Sequence, residues 1–572
     1  MRGLRSAEKR AKTLGLAGVA ALLASSGLLL GSTAKEFAVG YGFAKAGRDL
    51  PLFRTSLFAG SGECAVCHSS DGEVLRDSQG NDLGIPKDWR ATMMANAFKD
   101  PYFQAVIEHE VALRPTRQAE IEDLCLKCHA PMGRTQAYHD GATGYTLAEA
   151  RQSALANEGV SCTLCHQIQP TNLGTEQSFD GGYIITDARE IYGPYDGVYE
   201  WAMVSGLNYR PAFGAHMLTS EHCATCHTLF TPVLDDEGNN VGRFPEQTPY
   251  LEWQNSVFAQ AGDEAMTCQE CHMPVLNEGI YISQDPPVAP RSPFFEHHFV
   301  GGNTFMLSML RENIDALGVT ADEEHFDLVI ARTRAQLRER TAGLRLLEAE
   351  VSADTASVTL RIDNRTGHKF PTGYPSRRAW IHFKASDQMG NVLFESGAWN
   401  ALGEISVPPQ GYHPHYETID TTEKVQVYEA IMGDRAGGQT TSLLSAAQYL
   451  KDNRLPPRGF VASHESYDDT AIAGAAALDG NFNVDGSGEG SGSDSVTYRF
   501  ALGGVAKEDV RLEAELLYQS VSPNHIAGLA VSATLPAVDS FLTMYNGIEN
   551  APELVARVER NLVPTGSKWM VY

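Results

Sequence analysis

The chain has 572 residues, 43% of them hydrophobic, which is enough for two or three domains with buried cores. Its 71 acidic and 45 basic side chains give a formal net charge of -26. This charge argues against nucleic acid or an anionic membrane surface as the main partner. It suits either attraction of an electropositive redox protein or simple solubility.

The first 34 residues are predicted to be a secretory signal peptide. Basic side chains precede an apolar run from Leu14 to Leu30, and residues 31–34 form an S-x-A cleavage pattern. Cleavage after Ala34 predicts an exported bacterial protein, periplasmic or at the cell surface. The alternative is an uncleaved N-terminal membrane anchor, because the apolar run has the shortest length that spans a bilayer. Membrane contact is expected only through that segment.

Five copies of Cys-x-x-Cys-His lie between residues 53 and 300 and use all ten cysteines of the chain. The copies, numbered one to five in chain order, are Cys64, Cys67 and His68; Cys125, Cys128 and His129; Cys162, Cys165 and His166; Cys223, Cys226 and His227; Cys268, Cys271 and His272. Each copy is typical of a covalently attached c-type haem whose iron the histidine ligates. Zinc sites and disulfides also use paired cysteines, but neither requires a histidine directly after every second cysteine. We therefore expect a domain with five haems at 53–300.

Two helices are predicted inside this region. Asp100 followed by proline predicts a helix over 101–113, and Thr146 with Glu149 forms a capping box for a helix that ends at Gly159. The second helix would lead the chain directly into the third motif.

Residues 301–349 are predicted to be a helical connector between two halves of the chain. It contains an arginine-rich segment at 332–340, most simply a solvent-facing surface. From about residue 350 apolar side chains alternate with polar ones, as at Val358, Leu360 and Ile362, and turn residues separate the alternating stretches. This pattern predicts antiparallel strands.

The alternating stretches assign residues 350–535 to a β-sandwich-like accessory domain. Residues 536–572 are predicted to be a helical tail that packs back on the protein. The predicted fold class is α+β multidomain, with a mainly helical and irregular multihaem domain, a helical connector and an antiparallel β-sandwich-like domain.

Haem iron takes a second protein ligand when it only carries electrons and keeps an open position when it does chemistry. The candidates for this distal ligand are His109, His139, His216, His222, His297, His298, His368, Met93 and Met94. His216 and one of His297 and His298 are favoured. Each histidine has a surface or hydrogen-bonding role as its alternative, and helical methionines usually fill cores. A ligand role for His368, which lies in a Gly-His-Lys-Phe-Pro-Thr-Gly segment at 367–373, would couple the β domain to the haems.

Residues 60–300 resemble multihaem c-type cytochromes that carry the cytochrome c-552/4 domain, related to tetrahaem electron carriers of nitrifying bacteria. The similarity depends on segments at 89–97, 125–132, 159–166 and 268–274. It implies closely packed, mostly bis-histidine haems that pass electrons in the periplasm or at the cell surface. This chain departs from the pattern by its fifth motif and its long β extension.

Two functions are therefore expected. The first is an electron carrier with redox partner proteins and no catalytic residue. The alternative is a multihaem oxidoreductase that acts on a small nitrogen or sulfur compound at one five-coordinate haem, with nearby groups that move protons. The β domain is also a candidate docking module for a surface partner.

Overall fold

A computed structural model describes residues 49–235, 237–284, 289–407 and 411–562. The predicted signal peptide at 1–34 lies outside these ranges, as do the last ten residues of the predicted tail. Within the described ranges, no helix combines the length and the apolar character that crossing a bilayer requires.

The motif region, residues 53–300, consists of short helices, irregular segments and three pairs of short strands. The helices are α1 Ser61–His68, α2 Ile85–Trp89, α3 Pro101–Leu113, α4 Gln118–His129, α5 Pro131–His139, α6 Leu147–Gln152, α7 Ala154–Asn157, α8 Cys162–Cys165, α9 Trp201–Leu207, α10 Ser220–Ala224, α11 Pro249–Gln254 and α12 Cys268–His272. The strands are β1 Glu190–Gly193, β2 Arg210–Phe213, β3 Leu229–Leu234, β4 Asn240–Gln247, β5 Val275–Leu276 and β6 Phe294–Phe295. The β1–β2 pair is parallel, and the β3–β4 and β5–β6 pairs are antiparallel.

Both predicted helix starts are present. The Asp100 carboxylate accepts a hydrogen bond from the Tyr102 amide at the start of α3, and Thr146 and Glu149 form the reciprocal capping box of α6. The helix predicted to reach Gly159 is interrupted, however. The Ser153 side chain accepts from the Ala156 amide and so caps a separate helix, α7.

The connector contains helices α13 Thr304–Glu312, α14 Ile314–Leu317 and α15 Glu323–Gln336. Their apolar faces share a buried cluster with α3 and with C-terminal helices described below. The arginine-rich segment is not wholly solvent-facing as predicted, because the Arg332 guanidinium donates to the buried Asp88 carboxylate over 2.8 Å.

The β domain begins earlier than predicted. After a π-helical turn at Leu337–Thr341, strand β7 already starts at Ala342, inside the segment assigned to the connector. A bulge between Leu346 and Glu348 interrupts the period-two alternation of β7, which conceals the strand in the sequence.

Two sheets form the β domain. The remaining strands are β8 Thr355–Asn364, β9 Arg378–Ser386, β10 Val392–Ser396, β11 Thr418–Ile419, β12 Val427–Gly433, β13 Gln448–Asp452, β14 Val484–Asp485, β15 Gly488–Glu489, β16 Ser493–Ala501, β17 Arg511–Gln519 and β18 Glu553–Asn561. One sheet has the order β13-β12-β9-β17-β18, with β10 also on β9; the other has the order β11-β16-β8-β7. Strands β14 and β15 form a separate small hairpin.

The two sheets enclose one hydrophobic core. Leu360 and Ile362 of β8 and Phe383 of β9 are buried in the same cluster, and the ring of Phe383 stacks on Tyr498 of β16 at 4.2 Å. The alternating residues therefore point between the sheets, as a sandwich requires.

The predicted tail is helical only in its first half. The remaining α-helices of the described ranges are α16 Tyr467–Thr470, α17 Pro523–Ala530 and α18 Pro536–Asn546. Of these, α18 belongs to the predicted tail, and it packs on α3 of the motif region. The chain then forms the edge strand β18, which pairs antiparallel with β17. Glu, Arg, Leu and Ala in this segment favour a helix locally, but pairing with β17 and burial of Val555 override that preference.

Candidate haem-binding site

All five motifs open into one cavity of about 1460 Å³. Its walls include all ten motif cysteines and all five motif histidines, together with apolar side chains such as Phe103, Leu307 and Phe370. The sequence predicted the motifs, but their convergence on one continuous space is a property of the tertiary structure. An extended, mainly apolar space of this kind can hold haem macrocycles, which would take the place of the apolar side chains that fill an ordinary core.

Each motif begins within a helix. Helices α1 and α12 end at the motif histidine, α4 ends at His129, α8 spans Cys162–Cys165, and α10 carries Cys223. Residues three positions apart share one helix face, so both thiols of a motif point to the same side with the histidine beside them.

The structure fits neither rival use of the cysteines. The ten cysteines, all within the described ranges, form no disulfide. Among the described residues, two groups of three or more metal-binding side chains converge, and neither contains a cysteine. Neither a disulfide nor a cysteine-containing metal cluster is thus present among the described residues.

Thiols of different motifs are close neighbours. Cys64 of the first motif lies beside Cys162 of the third, and Cys128 of the second beside Cys226 of the fourth. Cys223 of the fourth motif lies beside Cys268 of the fifth. Motifs that are far apart in the sequence are thus adjacent in space.

Four motif histidines are held in the form that binds a metal through Nε2. Their Nδ1 atoms lie within hydrogen-bond distance of backbone carbonyl oxygens: His68 of Ile282 (2.8 Å), His129 of Ala97 (2.9 Å), His166 of Tyr192 (2.6 Å) and His272 of Val300 (2.5 Å). Because a carbonyl only accepts, Nδ1 carries the proton and Nε2 keeps its lone pair. Burial also lowers the pKa of His129 and of His227 to about 4, which favours the neutral ligand form.

Two of the distal candidates face motif histidines. The rings of His166 and His297 have centres 6.3 Å apart and planes inclined by 21°; those of His272 and His368 are 6.2 Å and 20° apart. Two imidazoles on opposite sides of one metal, with metal–nitrogen bonds of about 2 Å, have ring centres about 6 Å apart.

The rings of His297 and His368 have the same hydrogen-bond pattern as the motif histidines. Nδ1 of His297 donates to the Phe295 carbonyl over 3.1 Å, and Nδ1 of His368 donates to the Lys369 carbonyl over 2.9 Å. Both side chains line the cavity. Both pairs therefore fit bis-histidine ligation of one iron each.

The remaining candidates divide into two groups. His222, Met93 and Met94 line the cavity, and Nδ1 of His222 is buried without a hydrogen-bond partner. His109, His139, His216 and His298 lie outside its walls.

The four outside the cavity have other contacts. His109 bonds Ser532 at the contact with the C-terminal helices, and His139 lies at the surface beside Ser56 and Asp140. His216, favoured by the sequence, uses its Nε2 to donate to the Ile168 carbonyl over 2.9 Å. His298 faces two carboxylates instead of the cavity.

A buried ionic cluster, which was not predicted from the sequence, holds the loop that carries His368. The Lys369 ammonium lies 2.7 Å from Asp452, and Arg454 contacts both Asp452 (2.7 Å) and Glu252 of α11 (3.1 Å). Glu252 also accepts from the Lys369 amide over 3.0 Å. Two cations and two anions thus bind the β domain to the motif region.

A second feature missed in the sequence is a buried carboxyl group at the cavity wall. Burial and the neighbouring Glu110 carboxylate raise the pKa of Glu246 to about 8, and the Cys128 thiol of the second motif is another close neighbour. Glu246 therefore carries a proton near neutral pH. The hydroxyl-bearing ring of Tyr374 lines the same cavity.

Comparison with known proteins agrees with the motif geometry. Residues 63–167, which contain the first three motifs, match the family model described as cytochrome c554 and c-prime. This match supports a multihaem c-type cytochrome with c-type haem as its cofactor.

Comparison with solved structures finds two likenesses. A penta-heme cytochrome c552 from Thermochromatium tepidum is 18% identical, with 87% of this chain and 98% of that chain covered and a TM-score of 0.48. HBP35 of Porphyromonas gingivalis is 9% identical, with 43% and 50% covered and a TM-score of 0.15. Comparison with curated proteins finds no match. Because both TM-scores lie below 0.5, the assignment depends on the family match and on the cavity.

Proposed function

We propose that this protein carries electrons through five covalently bound c-type haems, one at each motif. The observation that supports this most is the single cavity lined by every motif cysteine and every motif histidine. Haem supplies an iron that alternates between ferric and ferrous states, while the protein sets its axial ligands, burial and local charge. Electron transfer of this kind requires no acid, base or nucleophile.

The thiol contacts support a spatial order for the five sites. Neighbouring cysteines connect the first motif to the third, the second to the fourth, and the fourth to the fifth. Cys165 of the third motif also acts electrostatically on Cys223 of the fourth. We propose a path that runs from the first motif through the third and fourth to the fifth, with the second motif as a branch at the fourth.

His297 and His368 are the proposed distal ligands of the third and fifth sites. Their neutral, oriented imidazoles would fill the positions at which a substrate could otherwise bind, which suits a carrier. His368 reaches its site from the β domain, so the accessory domain contributes directly to one haem environment. The ionic cluster around Lys369 holds that contribution in place.

Location and partners remain part of the proposal. Covalent haem attachment and the predicted signal peptide support an exported protein in the periplasm or at the cell surface. The net charge of -26 favours redox partners with an electropositive docking surface, whose association would weaken as salt is added.

The mass of the mature protein, produced with a complete cytochrome-maturation system, tests the haem number. We expect the added mass of five macrocycles, and of four after replacement of both Cys223 and Cys226 by serine. His139→Ala is a matched control at a surface histidine and should retain all five. A wild-type protein with fewer than five attached macrocycles would contradict the proposal.

Glu246 supports a second candidate function, an oxidoreductase that acts on a small nitrogen or sulfur compound beside the second motif. A carboxyl group that holds a proton near neutral pH is suited to proton transfer to a bound substrate. Among the described residues, the ring contacts of His129 include Phe103 but no second histidine. Turnover of nitrite, hydroxylamine or a sulfur oxyanion that falls at least tenfold in Glu246→Gln would establish this function; absence of turnover in the wild type would exclude it for these compounds.

A further inference from the structure

Three side chains with metal-binding atoms converge outside the haem-binding cavity. Asp88 belongs to α2, whereas Glu296 and His298 follow β6, about two hundred positions later in the chain. Nε2 of His298 lies 3.2 Å from Oε1 of Glu296 and 3.7 Å from Oδ2 of Asp88. The three donor atoms all lie within 4.8 Å of one another.

Two of these atoms are buried without a hydrogen-bond partner. Asp88 is 1% exposed and His298 is 8% exposed, yet Asp88 Oδ2 and His298 Nε2 make no hydrogen bond. The other oxygen of Asp88 accepts from Arg332 over 2.8 Å. Buried polar atoms nearly always have a partner, so two unpaired atoms that face each other indicate a missing one.

The donor separations match a metal ion. Bonds of about 2.0–2.1 Å in a tetrahedral site place neighbouring donors about 3.3–3.4 Å apart. The observed 3.2 and 3.7 Å bracket this value. One imidazole nitrogen with two carboxylate oxygens suits Zn²⁺ or a similar transition-metal ion better than Ca²⁺ or Mg²⁺, which take oxygen donors.

Charge favours a bound cation as well. Asp88 and Glu296 carry two negative charges, and Arg332 compensates one of them through its contact with Asp88. A buried negative charge without a counter-ion is costly. A divalent ion would supply the missing positive charge.

A second cluster, His415 with Asp479 and Asp494 in the β domain, does not fit a metal ion. Nδ1 of His415 accepts hydrogen bonds from the amides of Gln426 (2.8 Å) and Asn453 (3.0 Å), so its Nε2 carries the proton and donates to Asp479 over 2.9 Å. Metal binding at Nε2 would require the opposite tautomer. His415 is therefore satisfied by hydrogen bonds alone.

We infer that Asp88, Glu296 and His298 form a binding site for a divalent transition-metal cation, with Zn²⁺ as its representative. The ion would join α2 to the segment after β6. Because His297 lies between two of the ligands, the ion would also restrain the backbone that presents His297 to the haem-binding cavity. The cation site itself does not depend on haem ligation by His297.

Metal analysis of the full-length, haem-loaded protein tests this site. The protein is freed of loosely bound metal by dialysis against a chelator and then equilibrated with Zn²⁺ alone at about 10 μM, with protein concentration taken from amino-acid analysis. We expect one zinc ion per chain, retained in His325→Ala, a control at a histidine beside Asp322 outside the cluster. Glu296→Gln and His298→Ala should bind zinc at least tenfold more weakly.

Two results would overturn the inference. One is a wild-type protein that takes up no zinc under these conditions. The other is a full zinc complement in both variants, which would assign the metal to other side chains. Glu296→Gln keeps the size of a side chain that is partly exposed, so this variant should fold. The test therefore stands even if His298→Ala fails to fold. A thiol titration that finds no free cysteine shows that the zinc is not bound at motifs without haem.

Discussion

The ionic cluster beside His368 allows a quantitative test by Lys369→Met. The substitution keeps most of the side-chain volume but removes an ammonium that is fully buried, 2.7 Å from Asp452 and 3.2 Å from the Ala471 carbonyl. Loss of one partner from a buried pair costs about 3–5 kcal/mol, because the remaining charge stays in a low-dielectric environment. Arg454 still contacts Asp452, so we expect the lower end, about 3 kcal/mol.

A double-mutant cycle separates this charge effect from packing. Lys369→Met leaves one excess negative charge in the cluster, and Asp452→Asn leaves one excess positive charge. The double variant leaves Arg454 and Glu252 as a balanced pair at 3.1 Å. The double variant should therefore be about 2 kcal/mol more stable than the sum of the two single effects predicts.

Guanidinium unfolding followed by circular dichroism measures these differences, provided that the slope of the transition is unchanged. The reasoning would be refuted by a loss below about 1 kcal/mol in Lys369→Met. It would also be refuted if the two single effects add without coupling, since the cluster would then contribute only as packing.

Three further predictions concern ligation, acid stability and the sandwich core. His297→Ala and His368→Ala should each convert one low-spin iron to a high-spin iron in the electron paramagnetic resonance spectrum, whereas His109→Ala should not; an unchanged spectrum removes the altered residue as a ligand. Although burial alone would raise it, Arg454 and Lys369 lower the pKa of Asp452 to about 2. The stabilisation from this group is therefore complete above an unfolded pKa of about 3.9 and is lost as the pH falls towards 2, by about 2–3 kcal/mol. Unfolding midpoints at pH 5, 3.5 and 2.5 should show a loss that is smaller in Asp452→Asn, and parallel losses in the two proteins would assign the acid sensitivity elsewhere. Leu360→Ala in the sandwich core should cost about 2–5 kcal/mol of unfolding free energy, whereas Leu402→Ala, at a side chain that is 63% exposed, should change it by less than about 0.5 kcal/mol; equal effects would contradict the assigned core.

The amino-acid sequence alone determined the features that depend on interactions between residues close together in the chain. Two thiols and an imidazole at neighbouring positions form a complete c-type haem motif, so five candidate haem sites could be predicted without a structure. Alternation at Val358, Leu360 and Ile362 likewise predicted a strand with one buried face, since side chains alternate across a pleated strand. The capping residues Asp100 and Thr146 located two helix starts for the same reason.

The tertiary structure alone decided which distant residues meet. Nothing in the spacing of His166 and His297, or of His272 and His368, shows that their rings lie about 6 Å apart, because the second axial position is open to any side chain that the fold brings there. The same holds for Glu252 beside Arg454 and for His298 beside Asp88. Strands β7 and β18 were missed because a bulge conceals the alternation in one, and because pairing with β17 overrides the local helical preference of the other. A haem-attachment motif depends only on neighbouring positions in the sequence, whereas the proposed ligand pairs, the ion pairs and the edge strands depend on contacts that exist only after the chain has folded.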